Sequence, residues 1–63
     1  MIELMVEQWS QPDGRTRYLW SVWEKGKRIG MGEGAPSPEA AERDGRQWCL
    51  QTIDRPPDRV TRL

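Results

Sequence analysis

The sequence predicts an α+β fold in which three antiparallel strands form a meander and one helix packs on one face of the sheet (β-β-β-α). Two observations lead to it. Three segments between residues 2 and 32 alternate apolar and polar side chains with the period of a strand, and turn-forming residues separate them. A helix start signal and a stripe of small residues follow. Residues 1–55 are expected to form this single domain, and residues 56–63 an extended C-terminal tail.

The first two strands are predicted over residues 2–9 and 17–23, where alternate side chains are apolar. Between them, Pro12-Asp13-Gly14 predicts a turn, because proline presets φ, aspartate bonds its own backbone and glycine accepts a positive φ. The side chains assigned to the core face of these strands are Ile2, Leu4, Val6, Tyr18, Trp20 and Val22.

A third strand is predicted over residues 28–32, after a short polar connection that contains Gly26 and is typical of a hairpin. Strict alternation would place Ile29 and Met31 on the core face of this strand. The opposite face would then carry no side chains, at Gly30 and Gly32.

The helix is predicted from Pro38 to about Ile53. Ser37 before Pro38 is a strong start signal, since serine caps free N–H groups and proline suits the first helical position. Small residues at Ala41 and Gly45 would let the helix approach the sheet closely, with Trp48 as the large anchor. The side chains expected to be buried with this stripe are Trp20, Trp48 and Cys49, the last as a small apolar residue.

Composition excludes several function classes. The chain has no histidine and one cysteine, so it cannot build a Ser-His-Asp arrangement, a Cys/His zinc site or an internal disulfide. We therefore expect no enzyme activity, no metal, no cofactor and no small-molecule substrate. The longest uninterrupted apolar run is Leu4-Met5-Val6, which is too short for a membrane span or a signal peptide, so a cytoplasmic protein is expected.

The candidate binding site is the sheet face that the helix leaves uncovered. Alternation places four apolar side chains there, and such a patch usually marks an interface. Three occupants are consistent with the sequence: a protein partner, a second copy of the chain in a homodimer, or the C-terminal tail folded back through Val60 and Leu63. The candidate partner-binding residues are Met5, Trp9, Leu19 and Trp23.

Nucleic-acid binding is the alternative hypothesis, because residues 14–28 are locally basic and interleave cations with aromatic rings. The formal net charge of the chain is zero, however, and a basic footprint over the whole domain is missing. The candidate nucleic-acid-binding residues are Arg15, Arg17, Trp23, Lys25, Lys27 and Arg28.

The run Arg28-Ile29-Gly30-Met31-Gly32, followed by Ser37-Pro38-Glu39-Ala40-Ala41, resembles DNA-binding domains of the ethylene-response-factor type. It is also similar to the arm-binding domains of tyrosine integrases. The resemblance covers residues 14–48 and implies three strands with one packed helix. It further implies DNA contact through Arg and Trp side chains on the face away from the helix, where Arg17, Trp23 and Arg28 would lie.

The chain departs from that family on the contact surface. Gly30 stands where the family has an aromatic residue, and Glu33-Gly34 replaces a threonine-aromatic pair. The resemblance therefore bears on the fold more than on the function. In size and neutrality the chain also resembles small accessory proteins of phages and mobile elements, anti-CRISPR proteins among them, which implies action by covering a surface on a larger target.

Overall fold

The computed structural model describes residues 1–63 and confirms an α+β architecture with one helix. The three predicted strands form the antiparallel meander, but a fourth strand, not expected, lies within the predicted tail and pairs in parallel with the first, which makes the sheet mixed. The spatial order of the strands is β3-β2-β1-β4. The elements are β1 (Ile2–Ser10), β2 (Thr16–Glu24), β3 (Lys27–Met31), α1 (Pro38–Thr52) and β4 (Arg59–Arg62).

Strands β1 and β2 form the long central hairpin, and the predicted turn between them is confirmed. Gly14 has φ +85°, and the backbone N–H of Arg15 donates to Oδ1 of Asp13 at 3.0 Å. Nine residue pairs continue the ladder, with Leu4 opposite Val22 and therefore on the same face.

The β2–β3 connection is a two-residue turn in which Lys25 has φ +52° and Gly26 has φ +77°. Positive φ at both central residues is the backbone of a type I′ turn, whose twist matches that of the flanking strands. It confirms the predicted hairpin.

Strand β3 carries a bulge that reverses the predicted faces. Its register shifts between Val22 and Trp23, so that Ile29 is the extra residue. Because one extra residue moves every later side chain to the other face, Gly30 pairs with Val22 on the helix side and Met31 faces away from the helix. Placing Ile29 and Met31 in the core was wrong, since they are 39% and 55% exposed.

Helix α1 begins as predicted. Ser37 is the N-cap, and its Oγ accepts the backbone N–H of Ala40 at 3.1 Å. After the C-cap at Ile53, Asp54 adopts a left-handed conformation with φ +57°, which ends the helix before Pro56.

The helix lies across β1 and β2 through its small residues, as predicted. A Cβ atom at Gly45 would overlap Leu4, so the backbone of the helix rests directly on that side chain. The burial of Cys49 is confirmed, and burial raises the pKa of its thiol. The buried apolar residues are Ile2, Leu4, Val6, Trp20, Val22, Ala35, Ala41 and Cys49.

Two indole rings fill the β3 side of this core. The rings of Trp20 and Trp48 are 5.9 Å apart between centroids and tilted by 49°. Trp48 lies on Gly30 and Trp20 on Gly32, so these glycines are the floor of the covered face rather than of the uncovered one. Trp20 is buried as predicted, with 7% of its surface exposed. Trp48, which was also expected to be buried, is half-buried.

Strand β4 completes the sheet beside β1, with Val60 opposite Leu4 and packed against the core. The tail therefore does not fold back over the uncovered face through Val60. Asp58 fixes the start of the strand: its Oδ2 accepts the backbone N–H of Ile2 at 2.7 Å, and the guanidinium of Arg55 lies 2.9 Å from the same oxygen. Together these hold the pKa of Asp58 below its ordinary value.

Candidate functional site

The helix covers one side of the sheet and leaves the other side, here called the open face, without a covering element. The pairing register places all four predicted partner-binding residues on this face, since Glu3 lies opposite Trp23, Met5 opposite Ser21, and Trp9 opposite Arg17. The open face consists of Glu3, Met5, Glu7, Trp9, Arg17, Leu19, Ser21, Trp23, Arg28, Met31, Arg59 and Thr61, together with Glu33, which follows β3 and lines a groove with Trp9 and Arg17.

Exposure is uneven across the apolar part of the open face. Trp9 and Met31 are each 55% exposed, whereas Met5, Leu19 and Trp23 are half-buried by their neighbours on the sheet. Half-burial within one layer of side chains leaves the upper surface of each group in water, available for contact.

The indole of Trp23 is held in a fixed orientation. Its Nε1–H donates to Oγ of Ser21 at 2.8 Å, and Ser21 itself is 8% exposed between Met5 and Met31 on the flanking strands. A ring oriented before contact loses less conformational freedom on binding than a free one. Ser21 is therefore a positioning residue that the alternation pattern did not single out.

Two shallow grooves lie on the open face, one toward each end. The larger, of about 710 Å³, lies between Trp9, Arg17, Leu19 and Glu33. The smaller, of about 420 Å³, lies beside Trp23 and Met5 at the other end. Each groove thus has a tryptophan on its wall, so the face offers two recesses for side chains of a docking surface.

The charges of the open face fall into two groups. Glu3 is engaged within the chain, because it accepts the hydroxyl of Thr61 at 2.8 Å and lies 3.5 Å from Nε of Arg59. Four other charged side chains at this face form no ion pair or hydrogen bond with the rest of the protein. They are Glu7, Glu33, Arg17 and Arg28.

The six candidate nucleic-acid-binding residues do not lie together. Arg15 is in the β1–β2 turn, 3.6 Å from Asp13, and Lys25 is in the turn at the other end of β2. The nine residues of β2 separate these turns by about 27 Å. Of the six residues, the open face carries Arg17, Trp23 and Arg28, the three that the family resemblance assigns to it; Lys27 pairs with Glu24, whose other neighbour Ile2 is in the core.

On the opposite side of the molecule, a cluster of charged side chains links α1 to β4. Glu42 accepts from Arg46 at 2.9 Å and from Arg62 at 3.0 Å, and these bonds hold the pKa of Glu42 below its ordinary value. Arg62 also approaches Glu39 at 3.4 Å. The charges of the cluster satisfy one another, and the cluster lies on the helix side of the sheet, away from the open face.

Comparison of the chain with protein-family models, with curated proteins and with solved structures found no match. The chain has no group of three or more acidic, histidine or cysteine side chains placed to hold a metal ion. Its one helix is neither long nor apolar enough to cross a membrane.

Sequence reasoning missed Met31 and Glu33 at the open face. Met31 was assigned to the core because strict alternation was continued past Ile29, whereas Gly30 inside the strand pattern is a signal for a bulge. Glu33 follows β3, beyond the segment that alternation covers, and reaches the site through the bridge that ties Ala35 to Tyr18.

Proposed function

We propose that this chain is a non-catalytic binding module that docks on a protein surface through its open face. The observation that carries the proposal is the division of the four tryptophans. Trp20 and Trp48 pack between helix and sheet, whereas Trp9 and Trp23 stand on the uncovered side with no element of the chain over them.

Exposed tryptophan and methionine on one side of a sheet are costly to keep in water, and they are typical anchors of protein interfaces. Burying about 400 Å² of apolar surface in total, on this face and on its partner, at about 25 cal/mol per Å², would contribute about 10 kcal/mol before the cost of association. That contribution is compatible with a micromolar complex. The grooves beside Trp9 and Trp23 would receive side chains of the partner.

The charge distribution favours a protein over a nucleic acid. The open face carries acidic Glu3, Glu7 and Glu33 as well as its arginines, and a phosphate backbone would be repelled by the first group. The cations of the β1–β2 and β2–β3 turns lie too far apart to follow one phosphate run as a continuous patch. Contact with a protein, without chemistry, is what the resemblance in size to phage accessory proteins implies.

Affinity capture with matched variants tests the proposal. The immobilised chain is compared with Trp23→Ser, which removes an anchor from the open face, and with Leu50→Ser, which removes a 55% exposed apolar side chain from the helix. We expect one protein to be retained in stoichiometric amount by the wild type and by Leu50→Ser but not by Trp23→Ser. The wild type and both variants should melt cooperatively. Equal capture by all three would contradict the proposal.

A parallel titration tests whether the chain binds nucleic acid. Fluorescence anisotropy of labelled duplex DNA is measured with the wild type and with Arg17→Ala/Arg28→Ala at two salt concentrations. The proposal expects no saturable binding at low salt. Binding that weakens steeply with salt and disappears in the double variant would replace the protein partner by a nucleic acid.

A further inference from the structure

We infer that the partner on the open face is a second copy of this chain, related by a two-fold axis that crosses the strands. The inference rests on the proposed function and names the occupant of the same face. A symmetric dimer needs a patch that is complementary to itself, because each residue of the patch meets the same patch on the other subunit.

The charges without internal partners give the open face that property. Glu7 and Glu33 are acidic, Arg17 and Arg28 are basic, and their sum is zero. A face selected for an acidic or a basic partner would carry an excess of the opposite sign. A balanced set whose members have no ion pair inside the chain is instead complementary to a rotated copy of itself.

The positions of the charges select the direction of the axis. Arg28 lies beside Trp23 near the β2–β3 hairpin, and Glu33 lies beside Arg17 in the groove at the other end. A two-fold axis that lies in the plane of the interface and runs perpendicular to the strands exchanges the two ends of the face. Arg28 of one copy then lies over the end that carries Glu33 of the other, and Trp23 over the end that carries Arg17, where a guanidinium can stack on the indole.

An axis parallel to the strands gives a less favourable arrangement. It keeps the ends in place but exchanges the two edges of the sheet, β3 and β4. Arg28 would then oppose Arg59, which lies in the same row across Trp23 and Glu3. Like charges facing each other across a desolvated interface oppose association, so the axis perpendicular to the strands is favoured.

The size of the face sets the expected affinity. Four strands spaced by about 4.8 Å, with the longest about 27 Å in length, present about 400–500 Å² to a flat partner. A stable complex of standard size buries about 800 Å² on each partner. The dimer should therefore be reversible, with a dissociation constant in the micromolar range and a mass that rises with concentration.

Sedimentation equilibrium of the full chain, four charge variants and Trp23→Ser tests the inference. We expect Arg28→Glu and Glu33→Arg each to raise the dissociation constant at least about tenfold, because each places like charges opposite one another. The double variant Arg28→Glu/Glu33→Arg restores the pair with reversed polarity and should return within about threefold of the wild type. Arg43→Glu, a charge reversal on the exposed side of the helix, is the matched control and should leave association unchanged.

The outcomes separate this inference from the proposed function. A wild type that stays monomeric up to about 1 mM would overturn the dimer, while Trp23-dependent capture of a different protein would still support a docking face. If the double variant dimerised as weakly as the single variants, the axis perpendicular to the strands would be overturned. Dimerisation that persists unchanged in Trp23→Ser would overturn the dimer through the open face, because association would then use another surface.

Discussion

The indole ring of Trp48 lies directly on the backbone of Gly30, at the point where a side chain on that strand would point into the helix. A Cβ atom at Gly30 would overlap three atoms of the ring. The absence of a side chain at Gly30 therefore serves the core, because it lets Trp48 reach the sheet and pack at a tilt beside Trp20.

Gly30→Ala should destabilise the fold by about 1–3 kcal/mol, because the added methyl group displaces the Trp48 ring from a packed position. That is a large part of the roughly 3–5 kcal/mol expected for a domain of this size. Gly34→Ala is the comparison, since its new methyl would lie 3.0 Å from Cβ of Arg17, which is milder crowding than the overlap with the Trp48 ring. Urea unfolding followed by circular dichroism compares the two, and equal midpoints would contradict the packing described for Gly30.

Gly45→Ala sets helix propensity against packing. Alanine favours a helix interior by about 1 kcal/mol over glycine, yet the new Cβ atom would overlap Leu4. We expect net destabilisation, because overpacking costs about 1–3 kcal/mol. Leu4→Val makes room for the methyl group. The double variant should therefore lose less unfolding free energy than the sum of the losses in the two single variants. A stabilising Gly45→Ala, or strict additivity in the cycle, would show that the helix does not rest on Leu4.

The local patterns of the sequence were sufficient for β1, β2 and the helix. Alternation identified the buried side of the central hairpin, and Ser37 and the Ala41–Gly45 stripe identified the start and the packed side of the helix. These features follow from residues close together in the chain, where side-chain period and capping chemistry act directly.

Features that depend on distant pairing were not predictable in this way. The bulge at Ile29 shifts the phase of β3, and its one local signal is Gly30, since a glycine inside a strand pattern often marks a bulge; Met31 consequently lies on the face opposite to the predicted one. Strand β4 has four residues, two of them arginine, and pairs in parallel with a strand more than fifty residues earlier. Val60-Thr61 after Pro56-Pro57 was its one local signal, as β-branched residues favour strands.

Stability should fall in acid because of the contacts of Asp58. The backbone N–H of Ile2, together with Arg55, lowers the pKa of this carboxyl in the folded state. Its contribution is present above about pH 4, where the unfolded side chain is ionised. The contribution is lost as the pH falls through the lower folded pKa. Glu42, held by Arg46 and Arg62, acts in the same direction.

Asp58→Asn keeps the shape of the side chain and removes its charge, so the variant should lose less stability than the wild type between about pH 4 and pH 2. Asp44→Asn, a substitution of the same kind on the helix, serves as the control. Urea midpoints measured across this range provide the comparison. If the stability of Asp58→Asn followed the pH dependence of the wild type, the contacts of Asp58 with Ile2 and Arg55 would not contribute to stability in the way described.

The two pairs of tryptophans provide the most direct measurement on the open face. Each indole N–H gives its own signal in a ¹H–¹⁵N spectrum, so one sample reports both sides of the sheet. Between about 10 µM and about 1 mM, a range that spans a micromolar dissociation constant, the Trp9 and Trp23 signals should shift with concentration. The Trp20 and Trp48 signals should stay in place, because those rings pack between helix and sheet. Shifts confined to Trp20 and Trp48, or no shift at any of the four over this range, would contradict association through the open face.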